Sequence, residues 1–223
     1  MGTKNQNHEP FTNDAQYLNK EVEALRIRLQ LHDAQKRLRQ AEREAETGEV
    51  DRHRQFGVRE LRGLVHDLSH RGQEKRDEID SRLEAHRANP DSPELGIDRL
   101  CSTGLEQEDR LVLLAMVVAA LSRNLASEVT ADSGFCGYTS IDDIVTTVLG
   151  AHSIEDILRG RARFIPGSRL RQAGIIVEPY QGVEHAGVLP EANVWLSEES
   201  FNIVCGIIGG AESQVPSDDT SDQ

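Results

Sequence analysis

The stretch that most constrains the fold is SIEDILRGRARFIPGSRLRQAGIIVE, residues 153–178. It predicts helix, turn, short helix, strand. Ser153 can cap a helix, and Asp156 stands three residues on, where a carboxylate favours a helix N-terminus. Ile154, Ile157, Leu158 and Phe164 form an apolar stripe at roughly helical spacing, expected to face inward. Pro166-Gly167 stops the helix, Ser168 can cap another turn, and Gly174 can end that turn in a left-handed conformation. Ile175, Ile176 and Val177 form a β-branched run suited to a strand. The same stretch carries Arg159, Arg161, Arg163, Arg169 and Arg171, with no acidic residue among them.

Those arginines stand out because the chain is acidic, with a formal net charge of −13 over 223 residues. Residues 1–100 are nearly balanced, whereas residues 101–223 hold 18 carboxylates against 7 cations, five of them this cluster. Lysine is scarce: there are four, none after Lys75. An acidic, lysine-poor chain suits a high-salt cytoplasm, where anionic surfaces keep proteins soluble. Aromatics are 4%, charged residues 28% and mean hydropathy −0.51. That is lean for a chain packed throughout, so extended helix or disordered segments are expected. The N-terminus lacks a basic-then-apolar leader, and the most apolar segment, Leu111–Leu121, is too short to cross a bilayer. A cytoplasmic protein without a membrane span is expected. Cys101, Cys136 and Cys205 are widely spaced and form no CxxC pair, as suits buried or free thiols in a reducing compartment.

Along the chain, residues 1–13 read as a polar tail, and 14–88 as a helical, coiled-coil-like region. Leu18, Val22, Leu25 and Leu29 make one seam. Ile27, Leu31, Ala34, Leu38, Ala41 and Ala45 make another, out of phase with the first. A partner helix is therefore required, from this chain or a second copy, and self-association through these helices is expected because a lone helix of this kind is marginal in water. Leu61, Leu64, Val65, Leu68, Ile79 and Leu83 line a second helix from Arg52 to Ala88, and Gly48 can end the first. Asn89-Pro90-Asp91-Ser92-Pro93 breaks the pattern, so 89–94 reads as a linker. Residues 95–210 then read as a second domain, and 211–223 as a disordered acidic tail.

Within that domain, Thr103-Gly-Leu-Glu106 fits a capping box before a core helix from Gln107 to about Ala126. Residues 127–137 read as a loop. Ser140 caps a helix over Ile141–Leu149, and the arginine-bearing stretch follows. Residues 179–190, with two glycines, read as a wing, Val194–Leu196 as its return strand, and Ser197 as the cap of a last helix to Val204. The expected fold is mainly α with a small β-hairpin: long N-terminal helices followed by a winged-helix domain.

These residues carry a resemblance. GLEQEDRLVLLAMVVAAL, IDDIVTTVLG, RARFIPGSRLRQAGIIVEP and VWLSEESFNIVCG together resemble the winged-helix region that precedes the ATPase module in a group of prokaryotic AAA+ ATPases. The phrase that carries it stands here as Pro166-Gly167-Ser168, Leu170 and Gly174-Ile175-Ile176. The resemblance covers about residues 100–206 and implies a partner-binding or regulatory region, with an AAA+ ATPase among its partners. It departs from that group in lacking an ATPase module: no GxxxxGK[ST] loop is present, and Gly206-Ile-Ile-Gly-Gly210 lacks the lysine and hydroxyl that bind phosphate and magnesium.

No enzyme, cofactor or metal site is expected. There is no G-x-S-x-G elbow. Asp142-Asp143 and Glu198-Glu199 sit where first-turn carboxylates complement a helix dipole. His66 and His70 are four apart, but HDLSH lacks the glutamate of HExxH and a third ligand. His152 and His185 fall in no recognisable pattern. Three fates remain for the five arginines: pairing with the protein's own carboxylates, meeting an acidic protein surface, or reading DNA from the third helix. The acidity of the surrounding domain disfavours the last. A non-catalytic interaction protein is expected, with a winged-helix DNA-binding regulator as the alternative.

Overall fold

The computed structural model describes residues 9–47, 52–102, 104–121, 138–177 and 193–207. The expected 127–137 loop, the 179–190 wing, the acidic tail, most of the N-terminal tail, Thr103 and Cys136 lie outside them. Two long helices, α1 (Asp14–Thr47) and α2 (Arg52–Ala88), pack against each other. A turn over 89–92 leads to α3 (Gly96–Cys101) and α4 (Gln107–Leu121). Next come strand β1 (Tyr138–Ser140), helix α5 (Ile141–Asp143) continuing into a wide π-helical turn (Ile144–Val148), α6 (Ile154–Arg161) and α7 (Arg169–Gln172). Strands β2 (Ile176–Val177) and β3 (Asn193–Leu196) and helix α8 (Glu198–Val204) close the order.

The phase change in α1 has a structural cause. Tyr17, Leu18, Leu25 and Leu29 enter the main core, while Ile27 and Ala34 join Leu68 of α2 in a separate small cluster. One helix thus serves two apolar surfaces, and its stripe turns to follow them. The main core runs without interruption from Phe11 and Tyr17 through Ile79 and Leu83 to the strands and Val204. At its centre, α4 buries Val112 through Ala119 on every side, as a helix apolar all round requires.

The hairpin forms as expected, with Ile176 opposite Leu196 and Val177 opposite Trp195. A third strand, not foreseen, joins it: β1 pairs antiparallel with β3 to give the order β1–β3–β2. Three residues too short to show alternation left no periodic signal for β1.

Capping was legible in part. Ser140, Ser153 and Ser197 accept hydrogen bonds from the backbone N–H three residues on. Ser168 makes no such bond, and its hydroxyl is buried without a partner among the described residues. At the start of α4 the expected Thr103 cap lies outside the described residues. Glu106 precedes the helix and its N–H donates to Asp109 Oδ2 at 3.1 Å, so Asp109 takes the reach-back role expected of Glu106. Gly167 and Gly174 adopt φ of +83° and +67°; the left-handed turn was expected at Gly174, and at Gly167 only a stop to the helix.

Candidate functional site

Helix α6 and the turn after it hold the residues singled out in the sequence. Ser153 Oγ accepts from the Asp156 N–H at 3.1 Å and donates to the Asp156 carboxylate at 2.6 Å, fixing the helix start. That bond holds the Asp156 carboxyl below its ordinary range. The packed face of α6 is Ile157 and Gly160. Gly160 sits so close to Val145 that a Cβ there would meet its methyl groups. This close approach sets the rotation of the helix. Ile154 lies about 90° round from the contact line and Leu158 about 130°, at 100° per residue. Both therefore face outward, 79% and 63% exposed, contrary to the inward stripe expected of them. Phe164 is buried as expected, but from the turn beyond the helix.

The arginines fold back onto the protein. Arg159 pairs with Glu155 one turn earlier at 2.8 Å, on the exposed surface. Arg161 reaches Asp142 at the start of α5. Arg163, only 14% exposed in its side chain, contacts Asp109 at 2.6 Å, Glu106 at 3.3 Å, and Glu108. Arg169 pairs with the same Glu106. Arg171 donates from Nε to the Phe164 carbonyl at 2.7 Å, tying α7 to the turn before it. Burial works against the Arg163 charge, but the bond to Asp109 and the neighbouring carboxylates outweigh it and raise its pKa. Bonding to Arg169 lowers the Glu106 pKa. Four of the five arginines thus pair with six carboxylates: Glu106, Glu108, Asp109, Asp142, Glu155 and Asp156. The cluster is electrically neutralised, not a positive patch.

The sequence reading missed two features here. Asp109 is 2% exposed and is the shared anchor of the ion cluster; its spacing from Glu106 was the available signal. The outward Ile154–Leu158 pair was hidden because an apolar residue at helical spacing ordinarily reads as core. The histidine pair of α2 is exposed, with His70 Nδ1 3.3 Å from Glu74. Among the described residues no group of three or more His, Cys, Asp or Glu is placed to hold a metal. Cys101 and Cys205 are free thiols whose pKa burial raises. No helix of the described residues is long and apolar enough to cross a membrane.

Helix α4, β1, the helices α5 and α6, and the β2–β3 pair in the order β1–β3–β2 define a winged helix. The family model described as "winged helix domain, variant" matches residues 1–209, and the chain belongs to that family. The match takes in the two long N-terminal helices as well as the sheet. No curated protein and no solved structure matches the chain.

Proposed function

We propose that this winged-helix protein is a non-catalytic interaction module whose α6 engages a protein partner. The observation that carries this reading is the outward face of α6. Its arginines are drawn into intramolecular ion pairs while Ile154 and Leu158 stand in solvent, one turn apart. Covering one such side chain is worth about 1.5–3 kcal/mol, so two adjacent ones suit an apolar contact with a polar rim of Glu155 and Arg159. A duplex would instead meet more carboxylates than cations on this side, against a net charge of −13.

The likeness to the region preceding an AAA+ ATPase module supports a motor on another chain as the first partner to try. Gly167 and Gly174 make left-handed turns and Leu170 is fully buried, which are needs of the fold itself. Self-association through α1 and α2 is a further part of the proposal. Much of the stripe on α1 already meets α2 and the core of its own chain, which leaves Leu64, 44% exposed, as apolar surface on α2 for a second copy.

Fluorescence anisotropy with labelled duplex at low and physiological salt separates the two readings. Weak binding, unchanged by Arg159→Glu, supports the interaction module. Tight, salt-sensitive binding that Arg159→Glu and Arg169→Glu abolish overturns it in favour of a DNA-binding regulator. In the same series, a photo-crosslinker at Leu158 should trap a discrete partner, lost on Ile154→Asp, whereas a crosslinker at exposed Glu84 should not.

A further inference from the structure

Helix α1 and the π-helical turn enclose an open groove of about 500 Å³. From α1 come Arg28, Leu31, His32, Gln35 and Arg39, on one side of the helix; from the far wall come Leu149 and His152. None of the residues lining the groove is acidic, in a chain that is otherwise strongly so. Its volume lies within the range of about 300–1,000 Å³ common for small-molecule sites.

The cations here have unusual company. Arg28 is half-buried and donates from Nε to the Val148 carbonyl, which fixes its guanidinium at the end of the π-helical turn. Among the described residues it has no carboxylate partner and no hydrogen bond from its terminal nitrogens. Burial and then nearby Arg76 lower its pKa, the mark of a cation without a counterion. Arg39 likewise makes no ion pair among the described residues. The His32 and His152 rings stack with centroids 5.7 Å apart. Burial lowers the His32 pKa, and His152, Arg39 and Lys36 push the same way, with Asp33 alone opposing. A half-buried guanidinium without an anion is costly, and a bound anion removes that cost.

We propose that this groove binds a small organic phosphate, its phosphoryl group on the free fork of Arg28 and its body along Leu31 and Leu149 toward Arg39. Size decides against an acidic peptide. At physiological salt, charges are screened beyond about 8 Å. A compact anion within the groove feels mainly its cations, whereas a peptide running out of it meets the acidic body. Charge decides against a monocarboxylate, because a phosphoryl group brings about two negative charges and a geometry that suits a guanidinium fork. The proposal does not rest on the reading of the α6 surface.

The test is calorimetry and NMR titration of the full chain with inorganic pyrophosphate and with adenosine monophosphate, citrate serving as the carboxylate control. The expected result is saturable binding of the phosphates, shifts confined to residues 28–39 and 147–152, and a rise in the His32 pKa on binding. Arg28→Gln should weaken binding roughly tenfold or more, and His152→Ala, at an exposed position, several-fold. Arg62→Gln, on α2, should leave it unchanged. If Arg28→Gln fails to fold, Arg39→Gln carries the same test, with several-fold weakening expected. No saturation at millimolar phosphate, equal binding of citrate, or binding insensitive to both arginine variants overturns the proposal.

Discussion

Asp109 shows how one carboxylate can hold several parts of the fold. It caps the backbone N–H of Glu106, contacts Arg163 at 2.6 Å, and is buried with 2% of its surface exposed. A charged hydrogen bond of this kind contributes about 1.5–3 kcal/mol and a cap about 1 kcal/mol. Asp109→Ala should therefore cost about 2–4 kcal/mol, read as a lower urea midpoint at unchanged slope. Glu155→Ala, which removes the exposed partner of Arg159, should stay within about 0.5 kcal/mol of wild type. Glu106 tests the same cluster through pH. Its folded pKa lies below its ordinary 4.5 because Arg169 bonds the charged form. Its contribution is thus present above the unfolded pKa and is lost as pH falls through the folded one. An NMR titration should place the Glu106 midpoint below 4.5, and Arg169→Gln should move it up; an unmoved midpoint would break the assignment.

At the scale of elements, the contact between α3 and α8 depends on one glycine. Gly96 opens α3, donates its N–H to Asp14 Oδ1 at 2.7 Å, and packs on the Ile203 backbone so tightly that a Cβ would overlap the carbonyl. Gly96→Ala should destabilise by about 1–3 kcal/mol, since neither backbone can yield as a side chain would. Gly104→Ala gives a contrasting case: space is open there, but φ is +88°, so the cost is backbone strain of about 1–2 kcal/mol. Thermal melts of the two variants against wild type check both. Elements with caps and strong periodicity were legible in the sequence: α2, α8, the β2–β3 pair and the turns at Gly167 and Gly174 were foreseen. The strand β1 was too short to show a pattern. The π-helical turn cannot be told from an α-helix by spacing over five residues. The rotation of α6 was illegible for a third reason. It is set by the close packing of Gly160 on Val145, a contact between elements that no local pattern encodes. The arginines were visible as a cluster, but their partners on α4 and α5 are brought together only by the tertiary fold.

Across the whole molecule, α4 decides what can fold alone. Buried positions run unbroken from Val112 to Ala119, so the helix needs cover on all sides. Strand β3 and the π-helical turn supply part of that cover. Much of the rest comes from α1, whose Tyr17, Leu18, Leu25 and Leu29 join the same core, braced by Ile79 and Leu83 of α2. A polar network reinforces this seam. Arg110 of α4 donates to the Tyr17 hydroxyl at 2.8 Å, which donates to Glu21 at 2.6 Å, and Glu21 is held in turn by Arg76 of α2 at 3.1 Å. Burial, and then Glu21, raise the Tyr17 pKa well above its ordinary value, so the hydroxyl keeps its proton. Removing α1 and α2 would expose the α1-facing side of α4 and leave Arg110 without these partners. A fragment spanning residues 95–209 should therefore lose its sharp thermal transition and bind a hydrophobic dye, as loosely packed states do. The full chain should unfold in one transition seen alike by circular dichroism and by Trp195 fluorescence. A fragment that melts cooperatively with dispersed NMR resonances would show instead that the long helices are an appendage to the winged helix and not part of its core.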